Sequence, residues 1–126
     1  QKIANEIMAS CQVTTAVINL VGQTTIVEAI DLLASADAVV SNDSGLMHIA
    51  AATSTPVVGI FGSSSEQHTP PLGDNAASVF NLIDCRPCFA RQCPLGHTRC
   101  LSELHADNVI NALSKLLAHS SPQLTI

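Results

Sequence analysis

Four short apolar runs, separated by segments with helical periodicity, constrain the fold of this chain more than any other feature. The runs cover residues 16–22, 36–42, 56–62 and 77–83. Each is apolar at neighbouring positions rather than only at alternate ones, which is typical of strands covered on both faces. Strands of this kind that alternate with helices predict a doubly wound α/β domain with a parallel sheet. A chain of 126 residues is long enough for one such domain with a real core.

The intervening segments predict helices from the spacing of their apolar residues. Residues 2–10 are predicted to form the last part of one helix. Residues 44–53 are predicted to form another helix, and residues 106–118 a closing helix. Thr25 followed by Glu28 has the pattern of a capping box, so a further helix is expected to begin there. We expect the buried stripe of that helix to consist of Ile26, Ala29, Ile30 and Leu33.

The charge of the chain excludes two classes of partner. With 5 Lys and Arg residues and a net charge of −5, the sequence has no basic footprint for nucleic acid or an anionic membrane. No apolar run reaches the roughly 18 residues of a membrane span, and the start "QKIANEIMAS" lacks the order of a signal peptide. We therefore expect a soluble cytoplasmic protein. Because the chain starts without Met and within a predicted helix, we also expect a piece of a longer protein.

The polar insert "SNDSG" lies where a predicted strand gives way to a helix. In open parallel sheets, ligands bind outside the carboxyl ends of the strands. If Asp43 or Ser44 is the N-cap, the backbone N–H groups of Gly45, Leu46 and Met47 point out of the helix start. Such amides, together with the helix dipole, form an anion site, and glycine leaves the backbone open to a ligand. The insert therefore predicts a phosphate cradle.

His48 falls one helical turn after Ser44 and so is expected to overlook the same crevice. Two simpler interpretations stay open: the polar residues only cap the helix, or His48 is a partly buried packing residue. The stretch "LMHIAAATS" has almost no polar face. A helix that is apolar all round needs cover on more than one side, which a neighbouring domain or a bound ligand would supply.

The stretch "SADAVVSNDSGLMHIAAATSTPVVGIFGSSS", continued by "HTPPLG" and "CRPCFARQCPLGHTRC", closely resembles the lipopolysaccharide heptosyltransferases. The resemblance covers residues 24–117. Its most specific part is a motif in which an aspartate is followed by a serine or threonine, a glycine, two variable residues and a histidine, and then by alanines. It implies a Rossmann-like fold and the C-terminal half of the GT-B architecture. Residues 1–126 would then form part of the donor-binding domain, with a Cys-rich insertion at about 84–101.

By resemblance, Asp43, Ser44, Gly45 and His48 contact the diphosphate and sugar of the nucleotide-sugar donor. Met47 is counted with these substrate-binding residues, although Leu46 and Met47 form the variable pair of the motif and are expected to pack. The resemblance places no catalytic residue in this chain, because the family's catalytic aspartate base and acceptor-binding domain belong to sequence upstream of Gln1. It implies no cofactor and no metal ion.

The implied reaction transfers heptose from ADP-heptose to the inner core of lipopolysaccharide with inversion at the anomeric carbon. The acceptor would bind through an N-terminal domain outside this chain, so the chain alone is expected to be inactive. The resemblance allows peripheral association of the full-length protein with the inner membrane. Two alternatives remain: a non-catalytic α/β module that binds a nucleotide or a protein, and a metal or redox module built on the cysteines.

The Ser- and Pro-rich loop 63–73 also follows a predicted strand. Ser63, Ser64 and His68 are therefore candidates to face the donor or the acceptor. A solvated turn without a ligand explains the same composition.

The cysteines form a C-x2-C-x4-C-x6-C run, with His97 inside it: Cys85, Cys88, Cys93 and Cys100. The run is compatible with a tetrahedral zinc site, but the usual second C-x2-C pair is missing, so free thiols or an adventitious disulfide are the main expectation. Cys11 is expected to be a small core residue. Arg86, Arg91 and Arg99 in the same segment either meet acidic groups of the acceptor or form a solvated basic loop.

Overall fold

The protein is described by a computed structural model that covers residues 1–11 and 16–120. It consists of helices and a small parallel sheet, and the fold is α/β as predicted. The elements in chain order are α1 (Lys2–Ser10), α2 (Ile26–Ser35), β1 (Val39–Asn42), α3 (Gly45–Ala52), β2 (Val57–Phe61), β3 (Ala76–Phe80), α4 (Arg99–Ser102) and α5 (Ala106–Ser120).

The sheet has the order β1-β2-β3, and both pairs of strands are parallel. Val57 is level with Val39 on one side and with Ala76 on the other, so the three strands start together, and β1 ends one residue before β2 and β3. Their carboxyl ends therefore form one edge, and the segments after Asn42 and Phe61 leave the sheet at that edge. This edge is where an open parallel sheet binds ligands.

The core lies between α3 and the sheet. Met47, Ala50, Val57 and Phe61 form one fully buried cluster. Gly59 is needed at its position because a Cβ there would lie 2.6 Å from Met47 Sδ and 2.9 Å from Phe61 Cε2. The absence of a side chain at this position of β2 allows α3 to pack closely on the sheet.

The predicted strand at residues 16–22 is wrong. Within the described residues this segment forms no strand, and Ile18 is 81% exposed. Its polar groups are satisfied locally: Val21 N–H donates to Asn19 Oδ1 at 3.0 Å, and Gln23 N–H donates to the Leu20 carbonyl at 3.0 Å. Apolar composition predicted a strand, but a strand also needs a neighbour for its backbone groups, and β1 pairs only with β2 here.

The capping box at the start of α2 is confirmed. Thr25 Oγ1 accepts a hydrogen bond from Glu28 N–H at 3.3 Å, and Glu28 Oε2 accepts one from Thr25 N–H at 2.7 Å. Two hydrogen bonds lower the pKa of Glu28: the larger effect comes from the Thr25 backbone N–H and the smaller one from the Thr25 hydroxyl. The predicted stripe is only partly confirmed, because Ile26 is exposed while the other three side chains are half-buried and none is fully buried.

Two long segments complete the chain. The region between β3 and α5 is irregular except for the single turn α4, as predicted for the cysteine-rich segment. The closing helix α5 packs against β2 and β3. Every helix of the described residues is too short or too polar to span a membrane.

Candidate anion-binding site

The junction between β1 and α3 contains the predicted cradle. Ser44 is the N-cap of α3, with φ −157° and ψ 167°, but its side chain makes no capping hydrogen bond. Instead, Ser44 Oγ lies 3.3 Å from Ser41 Oγ, whose hydroxyl also lies 2.9 Å from the Asn42 carbonyl and donates to it. The interpretation that these residues serve only to cap the helix therefore fails at Ser44, and the amides of the first turn are not satisfied by its side chain.

Two of the three predicted amides are free. In the described part of the chain, the backbone N–H groups of Gly45 and Leu46 have no hydrogen-bond partner. The Met47 N–H donates to the Ser44 carbonyl at 3.1 Å, so the prediction of a third free amide is wrong. A Cβ placed on Gly45 would meet no atom within 4 Å. The helix start is therefore open to a ligand rather than filled by protein atoms.

Asp43 is held in place by groups from two elements. Its backbone N–H donates to the Ile60 carbonyl at 3.1 Å, which extends the pairing of β1 with β2. Its carboxylate accepts from the Thr69 hydroxyl, with oxygen distances of 3.2 and 3.3 Å. Sequence reasoning missed Thr69. The only signal was that loop 63–73 follows a strand ending at the same edge, since the two residues are 26 positions apart.

The two other predicted residues on α3 differ in environment. His48 is half-buried and makes no hydrogen bond with a described residue, so its ring nitrogens remain available and its ligand role stays a prediction. Met47 is fully buried in the core, so its inclusion among the ligand-contacting side chains is wrong and its packing role is confirmed. Leu46 is exposed rather than packed.

Arg86 holds the loop that follows β2. Its Nε donates to the Gly62 carbonyl at 2.7 Å, and its Nη2 lies 3.0 Å from both the Ser64 carbonyl and Glu66 Oε2. The side chain is only 7% exposed, and its guanidinium carbon lies 4.6 Å from the centre of the Phe80 ring. Neither expectation for this arginine is correct: it is neither solvated nor free for an acidic acceptor.

The loop residues Ser63 and His68 are not joined to the α3 start by any hydrogen bond in the described chain. The Ser63 carbonyl accepts from the N–H groups of Cys88 and Phe89 at 3.0 and 2.8 Å, so this residue connects to the cysteine-rich segment. The exposed His68 ring lies 5.5 Å from the Phe89 ring, centre to centre. The contact of Ser63 and His68 with a donor or acceptor remains a prediction.

The cysteine-rich segment carries free thiols. None of the five cysteines forms a disulfide, and within the described residues no three His, Cys, Asp or Glu side chains lie close enough together to hold a metal ion. The zinc alternative therefore has no support in the geometry. Arg99 forms an exposed ion pair with Glu103, one helical turn away at 2.7 Å, as expected for a solvated basic residue.

The parallel sheet and the open helix start at its carboxyl edge define a Rossmann-like α/β domain of the kind that binds phosphate groups. Comparison with known families is more specific. The chain belongs to glycosyltransferase family 9 (heptosyltransferase), whose family model matches residues 1–99. The resemblance inferred from the motif is thereby confirmed.

Individual relatives agree with this family. The chain is 41% identical over 103 residues to lipooligosaccharide heptosyltransferase 2 of Haemophilus influenzae. The matched region covers 80% of this chain and 30% of that protein. It is 35% identical over 99 residues to lipopolysaccharide heptosyltransferase 2 of Escherichia coli K12, with 79% and 28% covered. The chain thus spans about a third of the length of the curated relatives it matches.

A solved structure is similar along almost the whole chain. This structure, E. coli ADP-heptose lps heptosyltransferase II, matches with a TM-score of 0.78 and 32% sequence identity. The match covers 94% of this chain and 33% of the solved chain. The predicted GT-B relationship is therefore supported by structure as well as by sequence.

Proposed function

We propose that this chain is the donor-binding part of a heptosyltransferase that transfers heptose from ADP-heptose to the lipopolysaccharide core. The family and the names of the relatives support both substrates. In this proposal, the acceptor-binding domain and the catalytic base belong to sequence outside these 126 residues. The full-length protein would act in the cytoplasm, where free thiols such as the five found here persist, and would contact the inner membrane only peripherally.

The observation that carries the proposal is the open start of α3. Gly45 and Leu46 offer two amides that no described residue accepts from, at the positive end of the helix dipole, and no atom of another described residue lies within 4 Å of a Cβ placed on Gly45. This arrangement suits the diphosphate of a nucleotide sugar. The carboxylate of Asp43 is an acceptor, so its proposed partner is a sugar hydroxyl rather than a phosphate oxygen.

The same amides would act in the reaction. When the acceptor hydroxyl attacks the anomeric carbon of the heptose, negative charge grows on the departing ADP. Fixed N–H donors stabilise that charge without reorganising, and the loss of one donor in comparable sites raises the barrier by about 3 kcal/mol. Holding the heptose through Asp43 and His48 would align the anomeric carbon for attack. This chain needs no proton-transfer group of its own for either task.

Calorimetry tests the proposal directly. We expect ADP to bind this chain at least about tenfold more tightly than adenosine, because the diphosphate contacts are charge-assisted hydrogen bonds. His48→Ala should weaken ADP-heptose binding by about tenfold while the circular dichroism melting curve stays unchanged. His105→Ala, at an exposed position outside the junction, is the matched control. Equal binding of ADP and adenosine, or unfolding of the His48 variant, would contradict the proposed roles.

A further inference from the structure

A cavity of about 140 Å³ lies between the loop after β2 and the cysteine-rich segment. We call it the cysteine pocket, because Cys85, Cys88, Cys93 and Cys100 all line it. The cavity is separate from the start of α3, since no residue from 43 to 48 contributes to its wall. Four free thiols are thus gathered around one small space that the proposed glycosyl transfer does not use.

The charge of the cysteine pocket is positive. Arg86 and Arg91 line it, and none of the described residues in its wall is acidic. Arg86 is already bonded to Glu66 and to the loop carbonyls. Arg91 is exposed and has no hydrogen bond or ion pair to a described residue. The pocket therefore has one available cation at its wall, suited to a carboxylate of a small anionic molecule.

The thiols of the pocket differ in their hydrogen bonds. The Cys100 thiol donates to the Thr98 carbonyl at 3.9 Å. For Cys93, the backbone N–H groups of Thr98, Leu95, His97 and Gly96 favour the thiolate. The amide of Thr98, ahead of the others, lowers the pKa of Cys93. The thiolate is the nucleophilic form of cysteine, so the lowered pKa makes Cys93 more reactive at neutral pH.

Cys85 has a weaker partner. Its Sγ lies 4.0 Å from His97 Nε2, while His97 Nδ1 accepts from the Arg99 N–H at 3.1 Å. That second bond places the hydrogen of the neutral ring on Nε2, facing the sulfur. A contact at this distance is at the limit of hydrogen bonding. Outside the pocket, the Cys11 thiol donates to the Ile7 carbonyl at 3.3 Å, and Cys11 serves as the internal reference.

We propose that the cysteine pocket is a site of covalent modification by small anionic disulfides, with Cys93 as the attacking thiol and Arg91 as the contact for the carboxylate of the incoming molecule. Cys93 Sγ forms a bond to one sulfur of the disulfide, and the original S–S bond breaks. The second sulfur leaves with the electron pair and takes a proton from water. Cys93 is oxidised to a mixed disulfide, and half of the incoming molecule is reduced to a free thiol.

The experiment compares two small disulfides of opposite charge on the reduced chain, dithiodipropionate and cystamine. The sites of addition are followed over time by peptide mass spectrometry. We expect Cys93 to be modified at least about tenfold faster than Cys11, and dithiodipropionate to react faster than cystamine at this residue. Cys93→Ser should remove the fast phase, while the circular dichroism spectrum confirms that the variant is folded.

The role of Arg91 is tested separately. Arg91→Gln should slow the anionic reagent by about fivefold at low salt and leave cystamine no slower than before. Arg99→Gln is the matched control, because Arg99 lies in the same segment but does not line the pocket. A fast phase that survives Cys93→Ser, equal rates at Cys93 and Cys11, or a charge preference that is absent or survives Arg91→Gln would overturn the proposal. Stoichiometric zinc in the purified chain would overturn it as well.

Discussion

At the scale of single residues, two glycines show how the same amino acid serves different purposes. Gly59 lies in β2 against the buried side chains of Met47 and Phe61, whereas Gly45 opens α3 toward empty space. The first glycine is required by packing. The second is required, in our proposal, only by a ligand that approaches the backbone.

The substitution of each glycine by alanine should therefore separate stability from binding. Gly59→Ala should lower the free energy of unfolding by about 1–3 kcal/mol, because the new methyl group overpacks the core. Gly45→Ala should leave stability unchanged or slightly higher, since alanine favours a helix, yet weaken ADP binding by at least about tenfold. Urea unfolding and calorimetry on both variants check this. Undiminished ADP binding by Gly45→Ala would remove the backbone cradle from the mechanism.

Glu28 gives the chain a defined pH dependence. Its folded pKa lies below the ordinary value of 4.5 because Thr25 donates to its carboxylate. The stabilisation is therefore complete above that value and is lost as the pH falls through the folded pKa. We expect the Glu28→Gln variant to lack this pH-dependent part of the folding stability. Urea midpoints of both proteins at neutral and acidic pH measure it, and parallel pH profiles would show that the capping box does not contribute.

At the scale of elements, the site depends on a loop that is fixed from a distance. Arg86 binds the carbonyls of Gly62 and Ser64, and the loop continues to Thr69, whose hydroxyl contacts Asp43. The Ser65 carbonyl accepts from the Thr69 N–H at 3.2 Å, which fixes this part of the loop as a turn. The position of the Asp43 carboxylate is therefore linked to an arginine beyond the next strand.

Removal of that arginine should affect both stability and binding. Arg86→Gln should lower the free energy of unfolding by about 3 kcal/mol, because Glu66 and two carbonyls lose a largely buried partner. ADP-heptose binding should weaken in the variant that remains folded. Arg99→Gln, which breaks an exposed ion pair, should change stability by about 1 kcal/mol or less. Equal effects of the two substitutions would refute the anchoring role of Arg86.

At the scale of the whole molecule, the described chain leaves much apolar surface exposed. Large apolar side chains of α1, of residues 16–22 and of α2 are open to solvent. Faces of this kind are usually covered in a complete protein. The relatives are about three times as long as this chain, so they contain further sequence that can provide such cover.

Local sequence determined most of the elements and the junction at which the candidate site lies. The capping box, three of the four predicted strands and the polar junction at Asp43 follow from spacing and residue type, because each depends on neighbours within a few positions. Only tertiary structure decided that residues 16–22 form no strand, that Thr69 meets Asp43 and that Arg86 is an anchor. These outcomes depend on partners 20 or more residues away or on the presence of a neighbouring strand, and no local pattern encodes such distances.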